Sequence, residues 1–244
     1  MLYINAFRIE EMDSGEYYAR LPVVRLLREM GWFRFSSPVT FFVGENGSGK
    51  STLLEALALC AGMNAEGGSR NFAFSTKDSA SGLHRYISFA RGGRERDSFF
   101  LRAESFYNVA TEIERLDEIA APTRKISESY GGVPLHEQSH GESFLSLVQN
   151  RLRGGLYILD EPEAALSPTR QMTMLVEFNR MVGEGAQLII ATHSPILMAL
   201  PGADIWEITD EAVGRAAWED VDHVRVMRRF LNDPQGMLRR LMEP

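Results

Sequence analysis

The sequence predicts an α/β fold in which a mostly parallel central sheet is flanked by helices, and three features carry this prediction. The first is an apolar, β-branched run at 39–43, followed by a glycine-rich loop and a stretch with helical spacing of apolar residues at 50–59. The other two are nearly continuous apolar runs at 155–160 and 187–192. Strands without polar alternation are typical of parallel sheets that are covered on both faces.

Two further elements extend this pattern. An amphipathic helix is predicted from Ser167 to Met181, because Ser167 suits the N-cap and Pro168 the first helical turn. A third strand is predicted at 204–208, after a Pro-Gly turn. Strands that alternate with helices in this way favour a parallel sheet.

The region from about 64 to 135 has a different character. It is punctuated by glycine and serine and offers one short strand, at 99–102. We interpret it as a smaller α+β lobe inserted into a single domain that comprises residues 1–244.

Composition excludes several classes of protein. The formal net charge is −7, with 26 basic and 33 acidic residues, which disfavours nonspecific nucleic-acid binding by the protein as a whole. The single cysteine, Cys60, excludes an internal disulfide and a multi-cysteine zinc site. No apolar run approaches the ~20 residues of a membrane helix, and the start lacks the pattern of a signal peptide. We therefore expect a soluble, cytoplasmic protein without membrane insertion.

The loop at 44–51 reads Gly-Glu-Asn-Gly-Ser-Gly-Lys-Ser and fits the phosphate-loop pattern G-x-x-x-x-G-K-[ST]. Glycines let successive N–H groups point at phosphate oxygens, and the following helix adds its positive end. Lys50 would contact the β- and γ-phosphates, and the Ser51 hydroxyl would bind Mg²⁺. The alternative is a chance glycine turn, but one of only three lysines stands where the loop requires it. The fold prediction therefore sharpens to a P-loop NTPase, with these predicted nucleotide-binding residues: Gly44, Glu45, Asn46, Gly47, Ser48, Gly49, Lys50, Ser51 and Thr52.

The strand at 156–160 ends in the acidic pair Asp160 and Glu161. Ligands of α/β sheets bind at the carboxyl ends of the strands. Asp160 would hold Mg²⁺, and Glu161 would polarise the attacking water. Adjacent carboxylates resist ionising together unless a cation is present, which favours a metal site over a solvated acidic turn.

Together these residues resemble the ABC-type ATPases, more closely the branch of RecF, Rad50 and SMC-like heads and the standalone predicted AAA/ABC ATPases related to them than transporter subunits. Residues 44–51 are similar to the Walker A motif and 157–161 to the Walker B motif. Residues 164–167 resemble the D-loop, and 191–195 resemble the switch-histidine loop. The resemblance implies that His193 contacts the γ-phosphate or the attacking water, although a lone histidine after a strand could instead belong to the core.

The family also has a signature motif before a helix, and 138–142 resembles a divergent version of it. Ser139 and Gly141 would lie at a helix N-terminus that faces the nucleotide bound by a second subunit. His140 stands where glycine is usual. An ordinary serine-capped helix is the alternative.

Two family features are less clear in this chain. No glutamine occurs between Cys60 and Glu137, where the family has its Q-loop glutamine, and Asn71 is the nearest polar substitute. Phe33 and Phe35 are candidates for stacking on adenine, or else core residues. His84, His136 and His223 are scattered without ligand spacing.

The resemblance implies ATP and Mg²⁺ as ligands and an ATP-dependent homodimer, because the signature motif must come from a second copy. The first hypothesis is an ATPase in DNA maintenance, repair or defence. DNA is then a candidate partner through arginines, which solvated surface would explain equally: Arg85, Arg91, Arg94, Arg96, Arg102, Arg225, Arg228 and Arg229.

Two alternatives stay open. One is the ATP-binding energy subunit of an ABC transporter, which would bind a partner protein in the membrane. The missing Q-loop glutamine and the D-loop sequence disfavour this alternative. The other is a nucleotide-gated scaffold that binds ATP and hardly turns it over.

Overall fold

The computed structural model describes residues 2–13, 15–65, 67–68, 81–102 and 140–243. The strands are β1 (Ile4–Ile9), β2 (Phe33–Arg34), β3 (Val39–Gly44), β4 (Ile87–Arg91), β5 (Ser98–Arg102), β6 (Leu156–Asp160), β7 (Gln187–Ala191), β8 (Asp204–Ile208) and β9 (Val213–Arg215). The α-helices are α1 (Pro22–Met30), α2 (Lys50–Cys60), α3 (His140–Arg151), α4 (Pro168–Gly183), α5 (Asp222–Asn232) and α6 (Pro234–Met242).

The central sheet has the strand order β5-β6-β7-β3-β8-β9. Its first five strands run parallel, and β9 is antiparallel to β8. The prediction of a mostly parallel sheet flanked by helices is therefore confirmed. The carboxyl ends of β3, β6 and β7 meet at one edge, because these three strands are direct neighbours.

The two faces of this sheet pack against different layers, which explains the continuous apolar runs. Phe41 of β3 packs in a core cluster with Phe144 of α3 and Phe178 of α4. The next residue, Phe42, packs in a second cluster with Leu54 of α2 and the small sheet. Since both faces of each central strand are buried, polar alternation would cost free energy.

A small antiparallel sheet of order β2-β1-β4 covers the face that carries α1 and α2. In it β1 pairs with β2 through Phe7 and Phe33, and with β4 through Phe7 and Phe89. The sheet is built from strands far apart in sequence.

The predicted lobe at 64–135 contributes two described strands, and both belong to these two sheets. The short strand predicted at 99–102 is β5, which forms the edge of the central sheet beside β6 and does not stand apart from it. Strand β4 belongs to the small sheet. Residues 69–80 and 103–139, and with them Asn71 and Ser139, lie outside the described residues.

Helix α4 begins as the sequence predicts. The Ser167 hydroxyl accepts a hydrogen bond from the Arg170 N–H at 3.4 Å, and Pro168 occupies the first turn. In the described part of the chain, no helix combines the length and the apolarity that crossing a bilayer requires.

Candidate functional site

The loop after β3, the acidic pair after β6 and the histidine after β7 lie together at the carboxyl edge of the sheet. The register sets this: Ala191, two residues before His193, pairs with Asp160 on one side and with Phe42 on the other. The structure therefore places the predicted glycine loop, acidic pair and histidine at the same edge of the sheet.

The glycine loop at 44–49 needs its glycines for backbone reasons. Gly47 and Gly49 have φ angles of 85° and 93°, in the left-handed region that side chains disfavour. A Cβ at Gly49 would lie 2.9 Å from side-chain atoms of Leu21 and Val23 at the start of α1. The Val23 N–H also donates to the Ser48 carbonyl at 3.0 Å. The start of α1 therefore holds the loop from behind.

Lys50 is buried within this loop, with 4% of its surface exposed. Its Nζ donates to the carbonyl oxygens of Gly44 at 2.7 Å and Glu45 at 2.9 Å. Burial lowers the pKa of Lys50, and the charges of Glu161 and Asp160 oppose that shift. The ammonium is thus close to both the loop and the acidic strand end.

Ser51 and Asp160 are joined directly. The Ser51 hydroxyl donates to Asp160 Oδ1 at 3.0 Å, and Asp160 is 4% exposed. A hydroxyl and a carboxylate are the oxygen donors that Mg²⁺ prefers, so this pair fits the predicted ion. The described residues contain no group of three or more His, Cys, Asp or Glu side chains arranged around a metal.

Arg102 is a neighbour of this pair that the sequence analysis gave as a candidate DNA contact or as solvated surface. It is the register partner of Asp160, and its Nε lies 3.6 Å from Asp160 Oδ2. Its Nη1 also donates to Glu55 Oε2 of α2 at 3.1 Å. The available signal was its position at the end of an apolar strand, where side chains reach the ligand edge.

Glu161 has an unusual backbone. Its φ of 51° is the one positive value among non-glycine residues in the described ranges. Its N–H donates to the Ala191 carbonyl at 2.9 Å, which holds the turn in place. Its side chain is 42% exposed, and Oε1 lies 3.6 Å from His193 Nε2. Strained residues of this kind cluster at functional sites.

His193 is held by two residues whose part the sequence did not reveal. Its N–H donates to Glu163 Oε1 at 2.6 Å, and its Nδ1 lies 3.4 Å from His223 Nε2. Burial raises the pKa of Glu163. Burial, followed by the charge of Lys50, lowers the pKa of His193, which favours the neutral ring. His223 lies 30 residues along the chain, so no local pattern could link the two rings.

A cavity of about 380 Å³ opens beside the glycine loop. It is lined by 44–48, 207–210, Asp222 and His223, and within the described ranges no residue of α3 contributes. Gly141 instead packs against the loop after β6, since a Cβ there would lie 2.5 Å from the Ala165 carbonyl oxygen. The start of α3 thus contacts the segment predicted as the D-loop.

Phe33 and Phe35, the candidates for adenine stacking, are 1% and 7% exposed and pack against Phe7 in the second core cluster. They are core residues, as the alternative interpretation held.

Several known proteins are similar to this chain in sequence or in fold. One family model described as an AAA domain matches residues 28–143, and a second, an AAA domain described in terms of the AbiEii toxin of Type IV TA systems, matches 124–199. The chain is 27% identical over 189 residues to the cobalt import ATP-binding protein CbiO of Salmonella typhimurium. That match covers 71% of this chain and 66%, just under two thirds, of the relative.

The chain has the fold of the ATP-binding cassettes. Two solved structures show this likeness. CbiO1 from Clostridium perfringens, part of the ABC transporter complex CbiONQ, has a TM-score of 0.52 at 17% identity and covers 100% of both chains. A nucleotide-free ATP-binding cassette from an ABC transporter has a TM-score of 0.52 at 16% identity, covering 96% of this chain and 97% of its own.

Proposed function

We propose that this protein is an ATPase of the AAA/ABC type that hydrolyses ATP with Mg²⁺ at the edge formed by β3, β6 and β7. The observation that carries the proposal is the convergence of Lys50, the Ser51–Asp160 pair and His193 at that edge. The lysine lies at the start of α2, the carboxylate at the end of β6 and the imidazole after the end of β7. A chance glycine turn would not bring these groups together.

Each residue then has a role that its position supports. The N–H groups of 44–51 and the Lys50 ammonium bind the phosphates, and Ser51 and Asp160 would hold Mg²⁺. The ion, when bound, neutralises charge that develops on the phosphate oxygens. Glu161 orients the attacking water and accepts its proton as the bond from water to the γ-phosphorus forms and the bond to the β-phosphate oxygen breaks.

We further propose that the active species is an ATP-dependent homodimer. The cavity is lined from one side by the glycine loop, β8 and α5, without α3 among the described residues. The predicted signature residues, Ser139 and Gly141, precede or begin α3, and a second copy would supply them. The nucleotide charge would then be enclosed only when two copies close on it.

For the output of hydrolysis we retain DNA maintenance, repair or defence as the first candidate. Arg225, Arg228 and Arg229 are exposed on α5 and support a local basic strip. Arg102 is engaged within the protein by Glu55, which disfavours it as a DNA contact, whereas Arg91 donates to the Cys60 carbonyl and stays exposed.

The likeness to CbiO favours a second candidate, the ATP-binding subunit of a transporter. A membrane-embedded partner protein would then be the stimulating factor in place of DNA. Turnover measured with DNA, and co-purification with a permease, distinguish the two candidates.

The test of the proposal is an ATPase assay on the wild-type chain, Lys50→Ala and Glu161→Gln, with and without DNA. Glu211→Gln, at an exposed turn, is the matched control for loss of one carboxylate. We expect turnover in the wild type and the control, and loss in both site variants. Light scattering on Glu161→Gln should show a dimer with MgATP and a monomer with MgADP. Nucleotide binding without measurable turnover in the wild type would instead support the scaffold.

A further inference from the structure

We propose that His223 is a positioning residue for His193: its Nε2–H donates to Nδ1 of His193 and so directs the Nε2–H of His193 at the terminal phosphate. This rests on the proposed ATP hydrolysis, and it adds a residue from α5 that none of the sequence motifs contains. The two rings meet edge to face, with centroids 5.0 Å apart and planes at 82°. The nitrogen-to-nitrogen distance is 3.4 Å.

His223 is anchored independently of His193. It occupies the first turn of α5, whose leading N–H, that of Asp222, donates to Glu207 Oε1 of β8 at 2.9 Å. The next residue, Val224, is 2% exposed and packs in the first core cluster. The backbone that carries His223 is therefore held by the strand next to β3 and by the core, and not by the loop that carries His193.

The direction of the hydrogen bond follows from what surrounds the two outer nitrogens. His193 Nε2 and His223 Nδ1 are buried without a hydrogen-bond partner among the described residues, and His193 Nε2 lies 3.6 Å from Glu161 Oε1. If His193 donated from Nδ1, its Nε2 lone pair would face that carboxylate, and His223 would bury an unpartnered N–H. If His223 donates, an N–H faces the carboxylate and the unpartnered atom is an acceptor, which is the less costly of the two.

The consequence is a fixed proton position on His193. The nitrogen that carries the proton is set by the bond that the other nitrogen makes. With Nδ1 accepting from His223, Nε2 is the donor, which is the form that can bond a phosphate oxygen. His223 also lines the cavity beside the glycine loop, and its Nε2 lies 3.9 Å from Glu45 Oε1.

The kinetic test compares His223→Phe, which keeps an aromatic ring without the hydrogen bond, with His223→Gln, whose amide can donate. We expect kcat to fall on the order of tenfold in the phenylalanine variant, as for other residues that orient a functional imidazole. The KM for ATP should stay within about twofold, and glutamine should restore part of kcat. His84→Phe, in a histidine that does not line the cavity, is the control and should leave kcat unchanged.

A double-mutant cycle separates positioning from a general structural effect. In a His193→Ala background, His223→Phe should cause no further loss of kcat, because the ring that it positions is gone. An equal loss in both backgrounds, or a glutamine variant as slow as the phenylalanine variant, would overturn the proposal.

A second readout does not depend on turnover. Long-range ¹H–¹⁵N spectra of the folded wild type, with His193 assigned from the His193→Gln variant, should show the single Nε2–H tautomer. In His223→Phe the ring should exchange between tautomers. An Nδ1–H tautomer in the wild type would refute the assignment even if ATP hydrolysis is confirmed. If the wild type does not hydrolyse ATP, the proposed function is refuted. The spectrum alone then tests the direction of the hydrogen bond.

Discussion

Charged side chains are usually exposed and large apolar side chains are usually buried. The carboxyl edge of the central sheet departs from the first rule, and the C-terminal hairpin of α5 and α6 departs from the second. At the edge, charged side chains are buried: Lys50 and Asp160 are each 4% exposed. On the hairpin, large apolar side chains are exposed, with Leu231 at 69% and Leu241 at 73%. Burying charge costs free energy unless it is paired, and this cost at the edge is consistent with the proposed binding of a charged ligand there.

The hairpin contributes little to the core. In the described ranges Val224 is its one buried residue in α5, and Gly236 its one buried residue in α6. Substitutions at the edge should therefore change chemistry, and substitutions along the exposed hairpin should change neither chemistry nor stability. His223 lies where the two regions meet, so we expect a substitution there to change the chemistry although it is on the hairpin.

The largest effect is expected for Lys50→Ala. Removing the ammonium that bonds the loop carbonyls takes away the positive charge nearest the predicted phosphates, and turnover should fall at least on the order of 100-fold. Thermal stability should hold or rise, because a buried cation is lost. Steady-state ATPase assays and thermal melts measure both. Turnover within threefold of the wild type would show that this edge of the sheet does not take part in the reaction.

Glu161→Gln should come next, with kcat lower by on the order of 100-fold and nucleotide affinity retained. The side chain is partly exposed and makes no hydrogen bond that the fold depends on, so the melting temperature should not change. Single-turnover kinetics with Glu211→Gln as control would measure it. A matched loss in binding and turnover would mean that Glu161 binds nucleotide and does not act on water.

Gly49→Ala tests the support of the loop by α1. The φ of 93° and the 2.9 Å approach to Leu21 and Val23 predict a loss of about 2–4 kcal/mol in the free energy of unfolding. Gly185→Ala is a matched control, because its φ is 90° but a Cβ would meet nothing within 4 Å. That variant should lose only about 1 kcal/mol, from backbone strain alone. Urea unfolding would compare them, and equal losses would contradict the contact.

The pH dependence follows from His193. Its pKa is lowered by burial and then by the charge of Lys50, so the folded state prefers the neutral ring. The unfolded chain takes up this proton near pH 6.5, so stability contributed by the neutral ring is present above that pH and is lost as pH falls toward the folded pKa. An NMR titration should find a midpoint below 6.5 that rises in Lys50→Ala. A midpoint unmoved by that substitution would show that Lys50 does not act on the ring.

The smallest effect is expected on the hairpin. Leu231→Ser should change the free energy of unfolding by less than about 0.5 kcal/mol, because the side chain is already in water. Phe178→Ala, fully buried on α4, should lose about 3–5 kcal/mol. Urea unfolding of the pair measures the contrast. A large loss in Leu231→Ser would show that the hairpin face is packed in solution.

Much of the edge could be predicted from local sequence. The strand at 204–208 was predicted with the bounds that the structure gives, and the glycine spacing at 44–51 located the loop, because strand apolarity and left-handed turns are local properties. The pairing of β5 with β6 is not local, and so the strand at 99–102 was assigned to a lobe and not to the central sheet. Because such pairing is not local, the sequence also could not show which residues lie next to Asp160 and His193.

Arg102 and His223 reach the site from distant parts of the chain, and each looked like ordinary surface in the sequence. Their partners are set by strand order and by the return of α5 to the sheet, which depend on packing across the whole domain. The predicted roles of Asn71 and Ser139 stay predictions, since both lie outside the described residues.

Isothermal titration with ATP, with and without Mg²⁺, on the wild type and Asp160→Asn tests the central claim most directly. If the loop at 44–51 and Asp160 form one magnesium nucleotide site, the wild type should bind ATP more tightly with Mg²⁺, and the asparagine variant should lose most of that gain. A wild type that binds no nucleotide, or a gain from Mg²⁺ that survives in Asp160→Asn, would contradict it.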